Sequence, residues 1–390
     1  MAFFVEFLLT LVCGTTGLGP TAWARETPST PGLVILGDSL ATGAATHPAL
    51  RYDGLVLWDV FTGKVPLPAT ASVLPADLAA GLPDPLPAPQ RLWPGQREFF
   101  GGPDWIWRNA MQIVARSFLD TPQYSWGYQL GLALKVAPES ILIAGDDGAR
   151  VAQLPRQVDR VLAATDGVLP PRIAVFFTGN DLCAATTNEI TSAHDYAAIL
   201  ERGLRYMVRN GQVGASGTDV YVLGQLGVLQ LLTSDSILNK NITAFGSETT
   251  CRALRDQRFL PTPEQQQVMQ KRSGALAENR GAAWYFSMLM PPNPVGYCAT
   301  LMGPLEGKER EAEISVVANH LRDYREATAK AVERLNEKMM AEHVAVRFHY
   351  VAATAQLGFD GADIAEDCFH LSPAGHTKIA RAAFPGLVVP

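Results

Sequence analysis

Val34-Ile-Leu-Gly-Asp-Ser-Leu40 is a short apolar run that stops abruptly on glycine, aspartate and serine. Strands buried on both faces of a parallel sheet are near-continuous apolar runs, and open α/β sheets keep their ligand sites at the carboxyl ends of such strands. A serine delivered there can act as a nucleophile only if other parts of the chain supply a base, a group that orients the base, and oxyanion donors.

Working outward, strand and helix patterns alternate. Residues 140–144 and 172–177 are predicted as the second and third strands, ending in Gly145-Asp-Asp-Gly148 and Thr178-Gly-Asn-Asp181. Residues 219–225 and 344–350 supply a fourth and a fifth. A short helix is expected over 128–136. Val151, Leu154, Val158, Val161 and Leu162 fall at helical spacing, with Pro155 tolerable only in the first turn. Ser192, with Asp195 three residues on, opens a third helix that Gly211 stops. Ile314, Val317, Leu321, Tyr324, Ala331, Leu335 and Met339 form one stripe of a long fourth helix. Repeated strand–helix units predict an α/β fold, a three-layer α/β/α sandwich around a central parallel sheet.

Two stretches interrupt the alternation, at about 44–124 and 227–307. The first is so rich in proline, from Val65-Pro-Leu-Pro-Ala to Leu86-Pro-Ala-Pro-Gln90, that neither a helix nor a central strand persists in it. Trp58, Trp93, Trp105 and Trp107 flank it, as expected of an ordered embellishment packed on the sheet, with a lid or acyl-binding wall as the other possibility. The second holds two cysteines and resists assignment. Both are taken as decoration of a single domain over residues 25–390, with residues 25–31 as a loose linker.

The chain has 390 residues and is mildly acidic, with Asp+Glu 38 against Lys+Arg 32. No basic run suggests a nucleic-acid surface. Residues 1–24 combine an apolar run too short to span a bilayer comfortably with Ala22-Trp-Ala24, a small-x-small cleavage pattern, so a secretory signal peptide is expected. Glu6 inside the run and the lack of a preceding Lys or Arg leave an uncleaved membrane anchor as the alternative. Cys183, Cys251, Cys298 and Cys368 then remain, and an oxidising compartment makes two disulfides the expectation, with three connectivities open. No cysteine or histidine spacing suggests zinc. Asn241-Ile-Thr243 is an N-glycosylation acceptor pattern.

Parallel strands bring Gly37-Asp-Ser39, Gly145–Gly148 and Gly179-Asn-Asp181 to one sheet edge. Near the C-terminus, Asp367-Cys-Phe-His370 places an acid where a turn can carry it to the imidazole, fixing its tautomer and stabilising the imidazolium. These four blocks, in this order, resemble the signature blocks of the SGNH/GDSL hydrolase superfamily. Asn180-Asp-Leu-Cys183, Asp367-Cys-Phe-His-Leu-Ser372 and Leu154-Pro-Arg-Gln157 look most like its phospholipase B-type branch.

The resemblance implies a flavodoxin-like fold and an esterase without metal or organic cofactor. Ser39 would be the nucleophile, His370 the general base and Asp367 its orienter. The N–H of Ser39, the N–H of Gly148 and the amide of Asn180 would form the oxyanion hole. Two departures stand out: Thr178 replaces the usual glycine two residues before the asparagine, and Ile143 stands where an asparagine often precedes the donor glycine. Gly148 is preferred to Gly145 because Gly148-Ala-Arg150 better fits the family phrase. Asp38 and Asp181 are read as loop supports, and His376 as a residue of the last helix rather than a base. His47, His194, His320, His343 and His349 carry no partner pattern. The expected partner is a small ester or lipid, with transient membrane-surface contact, in a secreted monomer. A carbohydrate acetylesterase and a catalytically silent lipid- or glycan-binding protein are the rival expectations.

Overall fold

A computed structural model describes residues 30–46, 124–272 and 295–388. The expected signal peptide, and the proline-rich stretch of the first interruption with Trp58, Trp93, Trp105 and Trp107, lie outside these residues. Five strands form the sheet: β1 (Leu33–Gly37), β2 (Ile141–Ile143), β3 (Arg172–Phe176), β4 (Thr218–Leu223) and β5 (Val346–Val351). They pair in the spatial order β2-β1-β3-β4-β5, all parallel. The strand order reverses between β1 and β3. Doubly wound sheets open a crevice at that point, beyond the carboxyl ends of the two strands.

Alternate side chains along each strand face opposite helix layers. Val34, Leu36, Val175 and Val222 join one buried cluster with α3 (Leu154–Ala164), α4 (Ala193–Asn210) and α5 (Lys308–Ala341). Leu33, Ile35, Phe176 and Leu223 join the other, with α2 (Trp126–Ala133) and α6 (Pro373–Val388). A short helix, α1 (Ser39–Thr42), follows β1 with only Asp38 between them. The chain is thus a three-layer α/β/α sandwich.

Local chemistry sets the helix ends. Ser192 caps α4 by accepting the Asp195 N–H, Gly211 closes it, and Pro155 lies in the first turn of α3. Helix α2 starts two residues before the periodicity suggests, because Ser125 accepts the Tyr128 N–H and so defines the first turn. It ends before Lys135, whose left-handed backbone (φ 57°) cannot continue it.

Between β4 and α5 the chain forms short helices Gln230–Thr233 and Asp235–Leu238, a hairpin Asn241–Ala244/Ser247–Thr250, and helices Cys251–Asp256, Pro263–Arg272 and Val295–Met302. Asn241 is exposed at the start of the hairpin. The disulfides are Cys183–Cys298 and Cys251–Cys368, one of the three connectivities the sequence left open. Among the described residues no helix is long and apolar enough to cross a membrane.

Candidate active site

The end of β1 is held by backbone geometry first. Gly37 has φ +153°, and a Cβ there would lie 2.2 Å from the Phe176 carbonyl oxygen, so no side chain fits. Buried Gln157 of α3 spans the same residue: its Oε1 accepts the Gly37 N–H at 2.9 Å and its Nε2 donates to the Gly37 carbonyl at 2.7 Å. The carbonyl also accepts the Asp146 N–H at 3.0 Å, tying the turn after β2 to the end of β1.

Asp38 then caps α1. Its Oδ1 accepts the Leu40 N–H (3.0 Å) and its Oδ2 the Thr178 N–H (3.3 Å), joining the ends of β1 and β3. Burial pushes its pKa up to about 6, although these donors and the nearby His370 favour the carboxylate. Thr178, in place of the family's glycine, uses its Oγ1 to accept the Leu226 N–H at 2.9 Å. The substitution therefore joins the β3 and β4 ends. Asp181 accepts the Val151 N–H at 3.0 Å, and burial raises its pKa to about 7. Both aspartates are loop supports.

Ser39, the first residue of α1, faces a tight loop closed by an Ile364–Leu371 bridge and an Ala365 N–H to His370 carbonyl bond of 2.8 Å. Within the loop, Asp367 Oδ1 accepts the N–H groups of Phe369 (3.1 Å) and His370 (2.9 Å). Its Oδ2 lies 2.6 Å from His370 Nδ1, and His370 Nε2 lies 3.1 Å from Ser39 Oγ. A carboxylate only accepts, so Nδ1 carries the proton and the Nε2 lone pair faces the serine. Burial disfavours both charges, but mutual attraction prevails: the Asp367 carboxyl falls below its usual range and the His370 imidazole rises above 6.5. Asp147 and Asp38 add to the histidine's shift.

Ser39, Asn180 and His370 line one cleft, whose other walls are mainly apolar: Leu226, Val228, Leu231, Ile237, Phe359 and Phe369. Asn180 Nδ2 donates to the Ala149 carbonyl at 3.0 Å, leaving its second amide hydrogen free of that bond. Gly148 precedes Ala149 in the turn after β2, at φ +70°, a left-handed conformation suited to glycine. It is not among the residues lining the cleft. Gly145 instead packs against α1, where an added Cβ would lie 2.7 Å from that of Ala41.

The family model for GDSL-like lipase/acylhydrolase matches residues 33–383, which take in all five strands of the sheet and both loops of the site. The chain belongs to this family. Comparison with curated proteins gives no match. In this GDSL acylhydrolase, His376 is buried in α6, where Nδ1 accepts the Trp126 N–H (3.1 Å) and Nε2 donates to Thr46 Oγ1 (3.2 Å). Burial, with the nearby His370, drives its pKa down to about 3. His349 of β5 pairs with Asp219 of β4 at 2.8 Å and stacks on Tyr221 of the same strand, a pairing that sequence spacing does not reveal. Gln157 is the functional support hardest to foresee, since its partner is 120 residues away and is backbone. The Leu154-Pro-Arg-Gln157 phrase was its only signal. Among the described residues no cluster of side chains suited to a metal ion occurs.

Proposed function

We propose that this acylhydrolase is a serine esterase that hydrolyses carboxylic esters through an acyl-Ser39 intermediate. The observation that carries the reading is the unbroken relay from Ser39 Oγ to His370 Nε2 (3.1 Å) and from His370 Nδ1 to Asp367 (2.6 Å). As Ser39 Oγ attacks the carbonyl carbon, Nε2 takes its proton and Asp367 stabilises the imidazolium. The carbonyl π pair moves onto oxygen, where the Ser39 N–H and the Asn180 amide, both on the cleft wall, receive it; Gly148, outside that wall, is not assigned a donor role. One such donor is typically worth about 2.7–4 kcal/mol of transition-state stabilisation. Collapse breaks the bond to the alcohol oxygen, which leaves with the proton from His370. Water then repeats the sequence on the acyl-enzyme and regenerates Ser39.

The apolar walls beside Ser39 favour lipid esters, in keeping with a phospholipase B or lysophospholipase activity. Two disulfides suit a secreted protein. Ser39→Ala is expected to give a folded protein that hydrolyses neither p-nitrophenyl butyrate nor lysophospholipid. Retained turnover refutes the nucleophile assignment, and faster cleavage of acetylated sugars than of long acyl esters refutes the lipid preference.

A further inference from the structure

The segment between β4 and α5 does more than decorate the sheet. It touches both loops that carry the site, and it does so twice over. On the acid–base side, Cys251 is bonded to Cys368, which sits between Asp367 and His370. Cys368 is fully buried and has a left-handed backbone (φ 59°) that non-glycine residues rarely adopt. Lys240, whose carbonyl accepts the Cys251 N–H at 3.1 Å, donates from Nζ to the Ile364 carbonyl and pairs with Glu366 at 3.3 Å. Gln230 accepts the Phe359 N–H (2.5 Å) and donates to the Leu357 carbonyl (2.9 Å), and Ser236 Oγ accepts the Gly361 N–H (2.9 Å).

On the oxyanion side, Cys298 is bonded to Cys183, three residues after Asn180. Thr300 Oγ1 donates to the Leu182 carbonyl (2.7 Å) and accepts the Ala184 N–H (2.9 Å). Each loop therefore receives one disulfide and a polar clamp from the same segment. Short irregular stretches separate the two loops from regular structure: Asn180 lies four residues beyond the end of β3 and His370 three before the start of α6. The distance between His370 Nε2 and Ser39 Oγ depends on where a loop sits relative to β1, and a misplacement of about 1 Å in such a contact can cost on the order of 100-fold in rate.

We infer that residues 230–251 and 298–300 are a bracket whose disulfides and Lys240 act as positioning residues, the Cys251 arm setting His370 and the Cys298 arm setting Asn180. The inference rests on the esterase reading above. It makes the two arms separable by pH. Loosening the Cys251 arm weakens the Asp367–His370 pairing that raises the imidazole, so the acid limb of kcat/KM moves to lower pH. Loosening the Cys298 arm leaves that limb in place.

The test compares the full-length oxidised protein with Cys251→Ala/Cys368→Ala and Cys183→Ala/Cys298→Ala, using p-nitrophenyl butyrate from pH 5 to 9 and circular dichroism for the fold. Each pair is expected to lower kcat by between about 10-fold and about 100-fold, with KM changed less than about twofold. Only the first pair shifts the acid limb. Lys240→Met keeps both disulfides and reports on the same arm where the cysteine pair does not fold. It is expected to lower kcat and to shift the limb in the same direction. Folded variants with unaltered kcat and pH profile overturn the bracket while an active parent upholds the esterase. A folded parent that neither turns over ester nor is labelled at Ser39 by a fluorophosphonate overturns the esterase reading, and the bracket with it.

Discussion

Replacing Gln157 by leucine removes the clamp on Gly37 while keeping the side chain's approximate volume. The two lost bonds are not equivalent. The Gly37 carbonyl keeps the Asp146 N–H at 3.0 Å, so losing Gln157 Nε2 costs only an ordinary net hydrogen bond, about 0.5–1.5 kcal/mol. The Gly37 N–H loses the acceptor held at 2.9 Å in a fully buried site, and an orphaned donor there costs about 1–3 kcal/mol. The sum, roughly 1.5–4.5 kcal/mol, lies within the stability of an ordinary domain, so the variant should fold. Chemical denaturation of parent and variant measures it directly. Activity should fall further than stability suggests, because Ser39 lies two residues beyond the loosened glycine. Gln157→Glu sharpens the test. A protonated glutamic acid can both accept from the Gly37 N–H and donate to its carbonyl, whereas a carboxylate faces that carbonyl with like polarity. The folded pKa of this glutamate is therefore raised, and its stability contribution is present at low pH and lost as pH rises through that value. A loss below about 0.5 kcal/mol in the leucine variant, well under the 1 kcal/mol floor for an orphaned donor, refutes the clamp. So does a glutamate variant whose stability relative to the parent ignores pH.

Three further outcomes follow from the site. The general base must be neutral, so kcat/KM is expected to decline as pH falls through an apparent pKa above 6.5; a limb at or below that value contradicts the Asp367–His370 pairing. Asp367→Asn removes the charge that raises the imidazole, so it should lower kcat by several orders of magnitude and move the limb to lower pH, and near-normal turnover would exclude Asp367 as the orienter. His376 is neutral in the fold down to about pH 3 but binds a proton near 6.5 when unfolded, so its contribution is present above 6.5 and lost as pH falls. The stability advantage of the parent over His376→Asn should therefore shrink by about 1.6 kcal/mol between pH 6.5 and pH 5, because Asp38 and Asp181 titrate alike in both; a constant difference in urea unfolding at the two pH values counts against it.

What the sequence determined by itself were features encoded within a few residues. An apolar run ending on Gly37-Asp-Ser39 reports a buried strand and its exit, because burial on both faces leaves no polar alternation. Ser192 and Gly211 report the ends of α4 because capping is a contact between near neighbours. Asp367 and His370, three residues apart, lie within reach of each other on a single turn. Tertiary structure decided whatever required distant segments to meet. Four cysteines allow three pairings, and only the fold brings together partners separated by 115 and 117 positions. Gln157 has a side chain compatible with any surface helix, and its role appears only when α3 packs under β1. The described elements between β4 and α5 are too short to show a dominant period: Leu232, Ile242, Leu254 and Leu301 each enter the core from a separate element, and disulfides and contacts to the site loops add to their hold. Chemistry was legible because it resides in residue types at short spacing; its alignment was not, because alignment is a long-range distance that many weak local preferences leave undetermined.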